Sequence, residues 1–266
     1  MDHSAIRSQL PALVANHIPS NVRRFKFRIH DDQPAISTLG FPLDPKPFQG
    51  KIIALTDEAV VVKLARAEFA VLDRELVTLV PAIGTAVEVT PYARRRFDGL
   101  RVDTPDEETR HTADGMAYTT RTVVLGGNPV KLPVPEPRCP ELADLIEQVE
   151  KLPAPDGFRR ITHLLVDAGA CDFDTVDPAP NDILKTPPAI LFTVDSAKFQ
   201  GRVTVLYDRG ADLYAVELRK EGELVARNAD VYFDMLGNVL EDLIDDGQWR
   251  RIRVNILPST ASRTRH

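Results

Sequence analysis

Apolar and polar positions first alternate cleanly between Val22 and Ile29. Val22, Phe25, Phe27 and Ile29 are apolar, and Arg24, Lys26 and Arg28 fall on the opposite face. A period of two predicts a half-buried strand with a basic outer face, beginning at Arg24 because Arg23 breaks the alternation. Such a face is either an edge whose charges discourage aggregation or a surface that tracks phosphates. A proline- and glycine-rich connector follows, so residues 1–47 are expected to form an N-terminal arm carrying this strand. From Gln49 to Val89 the runs KIIAL, VVVKL, EFAVL and TAVEV are separated by turn residues, with Leu72–Val77 as one possible helical turn. Strands of this length joined by tight turns predict a small antiparallel β-barrel or curled sheet within residues 48–128.

The pattern then changes period. KLPVPEPRCP, with four prolines in ten residues, predicts a semi-rigid linker at 129–140. Leu142, Leu145, Ile146 and Val149 share one helical face. Phe158, Ile161, Leu164 and Leu165 define a second helix, with Asp156 as N-cap and Gly169 just past its end. Three strands follow at 189–194, 201–207 and 213–218, with an edge strand at 223–227, an amphipathic helix at 231–244 and a last strand at 249–256. The expected fold is α+β: a barrel-like N-terminal domain and a C-terminal domain of order ααβββ(β)αβ over 141–258. Residues 259–266 are expected to be a disordered tail.

Charge adds one distinction. The chain of 266 residues has a net charge of −6. Up to Pro140 it holds 18 Lys and Arg against 17 Asp and Glu; from Glu141 the count is 15 against 22. An anionic second half repels a polyanion, so any nucleic acid is expected on the first half. No apolar run approaches the ~18–20 residues of a membrane span, and no signal-peptide layout opens the chain. A cytoplasmic protein with no membrane partner is expected. Two cysteines and six scattered histidines offer no zinc spacing.

The densest candidate for binding is TPYARRRFDGLR, Thr90 to Arg101. Arginine forks bind phosphate bidentately and stack on planar groups, so Arg94, Arg95, Arg96 and Arg101 beside Tyr92 and Phe97 suit nucleic acid. With Arg24, Lys26 and Arg28 they make up the predicted binding residues. The competing reading is that Asp98, Asp103, Asp106, Glu107 and Glu108 neutralise the arginines within the fold. No catalytic, cofactor or metal signature is present. Gly126-Gly127 lacks the Gly-Lys-Ser/Thr ending of a phosphate loop. His163 and Cys171 form a thiol–imidazole pair only if the fold joins them. Asp167, Asp172, Asp174 and Asp177 are either a solvated acidic edge or ligands of a hard cation. Asp242, Asp245 and Asp246 sit against the dipole at a helix end, a local conflict that sometimes marks a contact surface.

The Gly-Lys-Ile start, the paired valines, VLDRELV and P-x-x-G before a strand ending in Tyr92 resemble the small β-domains called KfrB-like. The phrases FAVLDRELV, RCPELADLIEQVE, PDGFRRITHLLVDAGA and VYFDMLGNVLEDLIDDGQWRRIRV resemble accessory proteins of proteobacterial conjugative plasmids and integrative elements. That resemblance implies genetic context and no active residue. The expected function is a non-enzymatic accessory protein that binds DNA or a DNA-bound protein through an arginine-rich face. The alternative is an inhibitor that binds a host or rival-plasmid protein through its acidic C-terminal half.

Overall fold

The computed structural model describes residues 1–179 and 181–258; the tail expected at 259–266 lies outside them. In chain order, α1 (His3–Val14) precedes β1 (Lys26–His30), the short pair β2 (Ala35–Ile36) and β3 (Pro42–Leu43), then β4 (Phe48–Leu55), β5 (Ala59–Ala65), β6 (Glu68–Asp73) and β7 (Ala86–Thr90). The hairpin β8 (Asp106–His111) and β9 (Ala117–Thr122) comes next, followed by α2 (Pro140–Lys151) and α3 (Ile161–Asp167). Five strands come after it, β10 (Cys171–Val176), β11 (Ala189–Asp195), β12 (Gln200–Asp208), β13 (Leu213–Lys220) and β14 (Glu223–Val231). The helix α4 (Leu236–Ile244) and β15 (Arg253–Ile256) complete the order. The chain is a mixed α+β protein that divides into two compact units: residues 1–93 with 250–266, and residues 94–249.

The first unit is a six-stranded sheet in the order β1-β6-β5-β4-β7-β15. Its interior face gathers Ile52, Val60, Val62, Leu72, Val87, Val89 and Ile252. The sheet curls strongly: His30 of β1 meets Phe48 of β4 with ring centroids 5.2 Å apart, although β6 and β5 lie between those strands. Gly50 helps here, because a Cβ on it would stand 2.5 Å from the Lys63 carbonyl oxygen of β5. The expected barrel is nevertheless not closed. The segment after β6 reaches the β15 region through an isolated bridge, Val77 to Ile252, and through the Val254 N–H donating to the Thr78 hydroxyl, without forming a strand ladder. The other departure from a small antiparallel barrel is that β1 pairs in parallel with β6.

The sheet's opposite face is covered by α1, which the polar opening of the chain conceals. Ile6, Leu10 and Val14, four residues apart, are all buried against Val61, Phe69 and Val71. Burying each stabilises by about 1.5–3 kcal/mol. Asp2 caps the helix by accepting the Ser4 and Ala5 N–H groups. Pro11 lies inside the helix and gives up one backbone bond. Phe25, Phe27 and Ile29 of β1 join the same apolar layer. Residues 1–47 therefore contribute a helix and a strand to the sheet's own core and are not a separate arm.

The second unit is a five-stranded antiparallel sheet, β10 to β14 in sequence order, with α2, α3 and α4 sharing its core. The expected helices appear as α2, α3 and α4 and the expected strands as β11 to β14, with β10 added between α3 and β11; α4 begins at Leu236 and not at Val231, which ends β14. The last strand of the sequence reading, β15, belongs to the other unit, where it pairs with β7. Nor does the proline-rich segment 129–140 separate two domains. Val130 and Leu132 are buried, the Glu150 carboxylate accepts the Leu132 N–H at 2.9 Å, and Lys131 pairs with the same carboxylate at 2.6 Å. The segment is tied to α2. Among the described residues, no helix is long and apolar enough to cross a membrane.

Candidate functional site

The arginine-rich stretch at the start of the second unit folds as a tight loop closed on itself. The Arg96 N–H donates to Leu100 O at 2.8 Å, the Val102 N–H donates to Arg94 O at 3.1 Å, and Arg95 and Arg101 form a β-bridge. Gly99 turns the loop at φ +80°, a left-handed conformation that costs glycine little. Arg94 is 5% exposed. Its guanidinium lies 4.7 Å from the Phe158 ring centroid and donates to the Gly126 carbonyl at 2.8 Å. Arg96 pairs with Asp98 at 3.3 Å and Asp106 at 2.8 Å. Arg101 makes a two-point contact with Asp103, at 2.7 and 2.9 Å. Arg95 is exposed and donates to Gly99 O. Phe97 turns inward, edge-on to Phe173 at 5.0 Å, and the half-buried Tyr92 belongs to the other unit. The acidic residues downstream thus engage Arg96 and Arg101, and the fold itself takes up Arg94.

The basic strand of the first unit is arranged differently. Arg24 is exposed just before β1, and Lys26 and Arg28 are exposed on it. Lys26 and Arg28 alternate with Phe25, Phe27 and Ile29, which face α1, and so project from the opposite face. Among the described residues none of the three makes an ion pair. At the end of β1, burial and the neighbouring Arg28 charge lower the His30 pKa to about 4. The unit boundary also sharpens the charge contrast. Residues 1–93 and 250–266 hold 15 Lys and Arg against 10 Asp and Glu, a net of +5; residues 94–249 hold 18 against 29, a net of −11.

The catalytic and metal candidates do not converge. His163 is 4% exposed on α3, and its Nδ1 accepts the Arg160 N–H at 2.8 Å. Burial, then the charges of Arg94, Arg160 and Arg159, hold its pKa at about 3. Cys171 is exposed at the start of β10, with Asp172 beside its thiol. Burial and the Asp172 charge raise that thiol's pKa, the opposite of what an activated nucleophile needs. The acidic string disperses. Asp167 binds Arg159, Asp174 stands 3.8 Å from Arg202, and Asp177 accepts the N–H groups of Arg138 and Cys139. Among the described residues, no three His, Cys, Asp or Glu side chains gather as a metal site.

One centre escapes sequence reasoning. Arg159 has a fully buried side chain, held by Asp156 at 2.8 Å, by Asp167 at 2.9 Å and by Asp245, and stacked 3.9 Å from the Trp249 ring centroid. Burial alone would lower its pKa; the carboxylates of Asp167 and Asp245 outweigh that and raise it. This explains one acid at the end of α4. Asp245 faces a buried cation, and Asp246 accepts the N–H groups of Ala197 and Gln248. Asp156 is correspondingly not the N-cap of α3, which begins at Ile161; it accepts the N–H groups of Phe158 and Arg159. The signal was present as the helix-end conflict, but the arginine that resolves it lies far away in sequence.

No family model matches the chain, and no curated protein or solved structure is similar to it.

Proposed function

We propose that the chain is a non-enzymatic binding protein that holds nucleic acid along the basic strand β1 of its first unit. The observation that carries this reading is the exposure of Arg24, Lys26 and Arg28 without carboxylate partners, in a unit of net charge +5. Cations already engaged within the fold gain little from a phosphate, because that contact first breaks an existing one. Unengaged cations bind by releasing the polyanion's counterions, which gives affinity without sequence preference. The arginine loop at 94–101 accordingly has a lesser part, confined to Arg95. The resemblance to accessory proteins of conjugative plasmids and integrative elements suggests the setting, a cytoplasmic protein of a mobile element. The test is binding of a labelled oligonucleotide across a salt series. Replacing Arg24, Lys26 and Arg28 together with alanine should weaken binding and flatten its salt dependence. Unchanged binding in that variant would exclude β1 as the contact.

The second reading, a protein-binding inhibitor acting through the acidic unit, is favoured by the hairpin of β8 and β9. Every residue of β8 is exposed, as are five of the six in β9. Capture of a basic protein by the intact chain, lost when the exposed Asp114, Glu221 and Glu223 of the second unit are neutralised, would support it over nucleic-acid binding.

A further inference from the structure

A groove of about 570 Å³ runs beside β1, lined by the consecutive residues Phe25 to Ile29, by His3 and Arg7 of α1, and by Glu68 of β6. Successive residues of a strand point to opposite faces of its sheet, so a groove that touches five in a row follows the strand's edge. β1 is the terminal strand of its sheet, and the Lys26 N–H is spent on Ala67 O at 2.9 Å. Bonding residues alternate along a parallel ladder. The N–H and C=O groups of Phe27 and Ile29 therefore turn away from β6, toward the groove.

Cations stand on both sides of this edge. Arg7 is exposed on α1, with its guanidinium 5.5 Å from the Phe27 ring centroid. Lys26 and Arg28 project from the face opposite α1. Between them the half-buried rings of Phe25 and Phe27 offer apolar, planar surface. Two carboxylates, Asp31, hydrogen-bonded to His3, and Glu68, also line the groove and restrict a polyanion to a short footprint.

Resting on the reading of β1 as a polyanion surface, we infer that this groove takes single-stranded nucleic acid. Backbone phosphates meet Arg7, Lys26 and Arg28, and an unstacked base lies against Phe25 or Phe27. A positive groove combined with aromatic side chains is the arrangement that single strands exploit, because every base has a π-face to stack. A duplex keeps its bases stacked and paired, and so brings only phosphates to such an edge. An acidic extended peptide could add to β1 as a seventh strand, but it would bring no planar group to stack on the phenyl rings.

The test is fluorescence anisotropy on the full chain with a labelled oligodeoxythymidylate of about a dozen nucleotides, with a duplex of equal length and with polyglutamate as competitor. Single-strand affinity is expected to exceed duplex affinity by about tenfold, of the order that stacking one base supplies. Arg7→Ala, at an exposed helix position, should lower single-strand affinity about fivefold or more while the circular dichroism spectrum stays unchanged. Duplex binding as tight as single-strand binding would overturn the inference. So would an unaltered affinity in Arg7→Ala, or displacement by polyglutamate at equal charge. Salt-dependent duplex binding that needs Arg24, Lys26 and Arg28 would leave the basic-strand reading standing while removing the groove. Absence of any nucleic-acid binding would remove both.

Discussion

The two arginine-rich stretches of this chain, RRFKFR in the first unit and ARRRFDGLR in the second, are similar in composition and opposite in arrangement. In the second, Arg94 is buried against Phe158, while Arg96 and Arg101 are held by carboxylates within the same short region. In the first, strand alternation sends Phe25, Phe27 and Ile29 into the apolar layer and leaves Lys26 and Arg28 on the other face, where neither forms an ion pair among the described residues. The difference lies in what folds next to the arginines. An acidic run a few residues away returns to them through a loop, whereas an edge strand keeps its charges outward. Density of positive charge in a sequence is therefore a poor guide to a binding face until its counter-charges are placed.

The largest effect expected of a single substitution concerns an arginine that neither stretch contains. Arg159→Met leaves Asp156, Asp167 and Asp245 gathered without their cation, and should lower the stability of the second unit by about 3–5 kcal/mol in urea unfolding. A loss near the ~0.5 kcal/mol of an ordinary surface change would show that the buried cluster is not a structural centre.

Acid should act on two histidines together. Folded His163 and His30 have pKa values near 3 and 4, below the unfolded value near 6.5. Below pH 6.5 the unfolded chain takes up protons that the folded chain refuses, so each histidine withdraws about 1.4 kcal/mol per pH unit until its folded pKa is reached. Unfolding free energy measured from pH 7 to pH 4 should therefore fall on the acid side of 6.5. His163→Gln should reduce that slope; an unchanged slope would contradict the assignment of a buried neutral imidazole.

The smallest effect should come from the engaged arginines. Arg96→Ala and Arg101→Ala each remove exposed or half-buried ion pairs and should cost about 0.2–1 kcal/mol in thermal unfolding. Neither should change nucleic-acid affinity by more than about twofold, since a phosphate would have to displace Asp106 or Asp103. A large loss of binding in either would reverse the ranking of the two stretches.

Much of the fold could be read from periodicity. The helices α2 and α4, the strands β11 to β13 and the basic strand all follow from local spacing of apolar side chains. What escaped was non-local or masked. The helix α1 carries its apolar residues in a polar segment interrupted by Pro11, and β15 reads like its neighbours although it pairs with β7, far back in the chain. Proline density at 129–140 suggested a linker, but proline content reports backbone stiffness and not whether Val130 and Leu132 are buried. The candidate site was half legible. Alternation revealed the exposed face of β1, while the engagement of Arg94 by Phe158 and of Arg159 by Asp245 depends on contacts that no local pattern encodes.

The most direct measurement sets two triple variants side by side in one salt series: Arg24, Lys26 and Arg28 to alanine, and Arg95, Arg96 and Arg101 to alanine. The plot of log affinity against log salt should lose about 2 units of slope in the first, from three phosphate contacts on a single strand. It should lose less than about 1 unit in the second. Equal slopes for the first variant and the unaltered chain, or a larger loss in the second, would contradict the assignment of the binding face to β1.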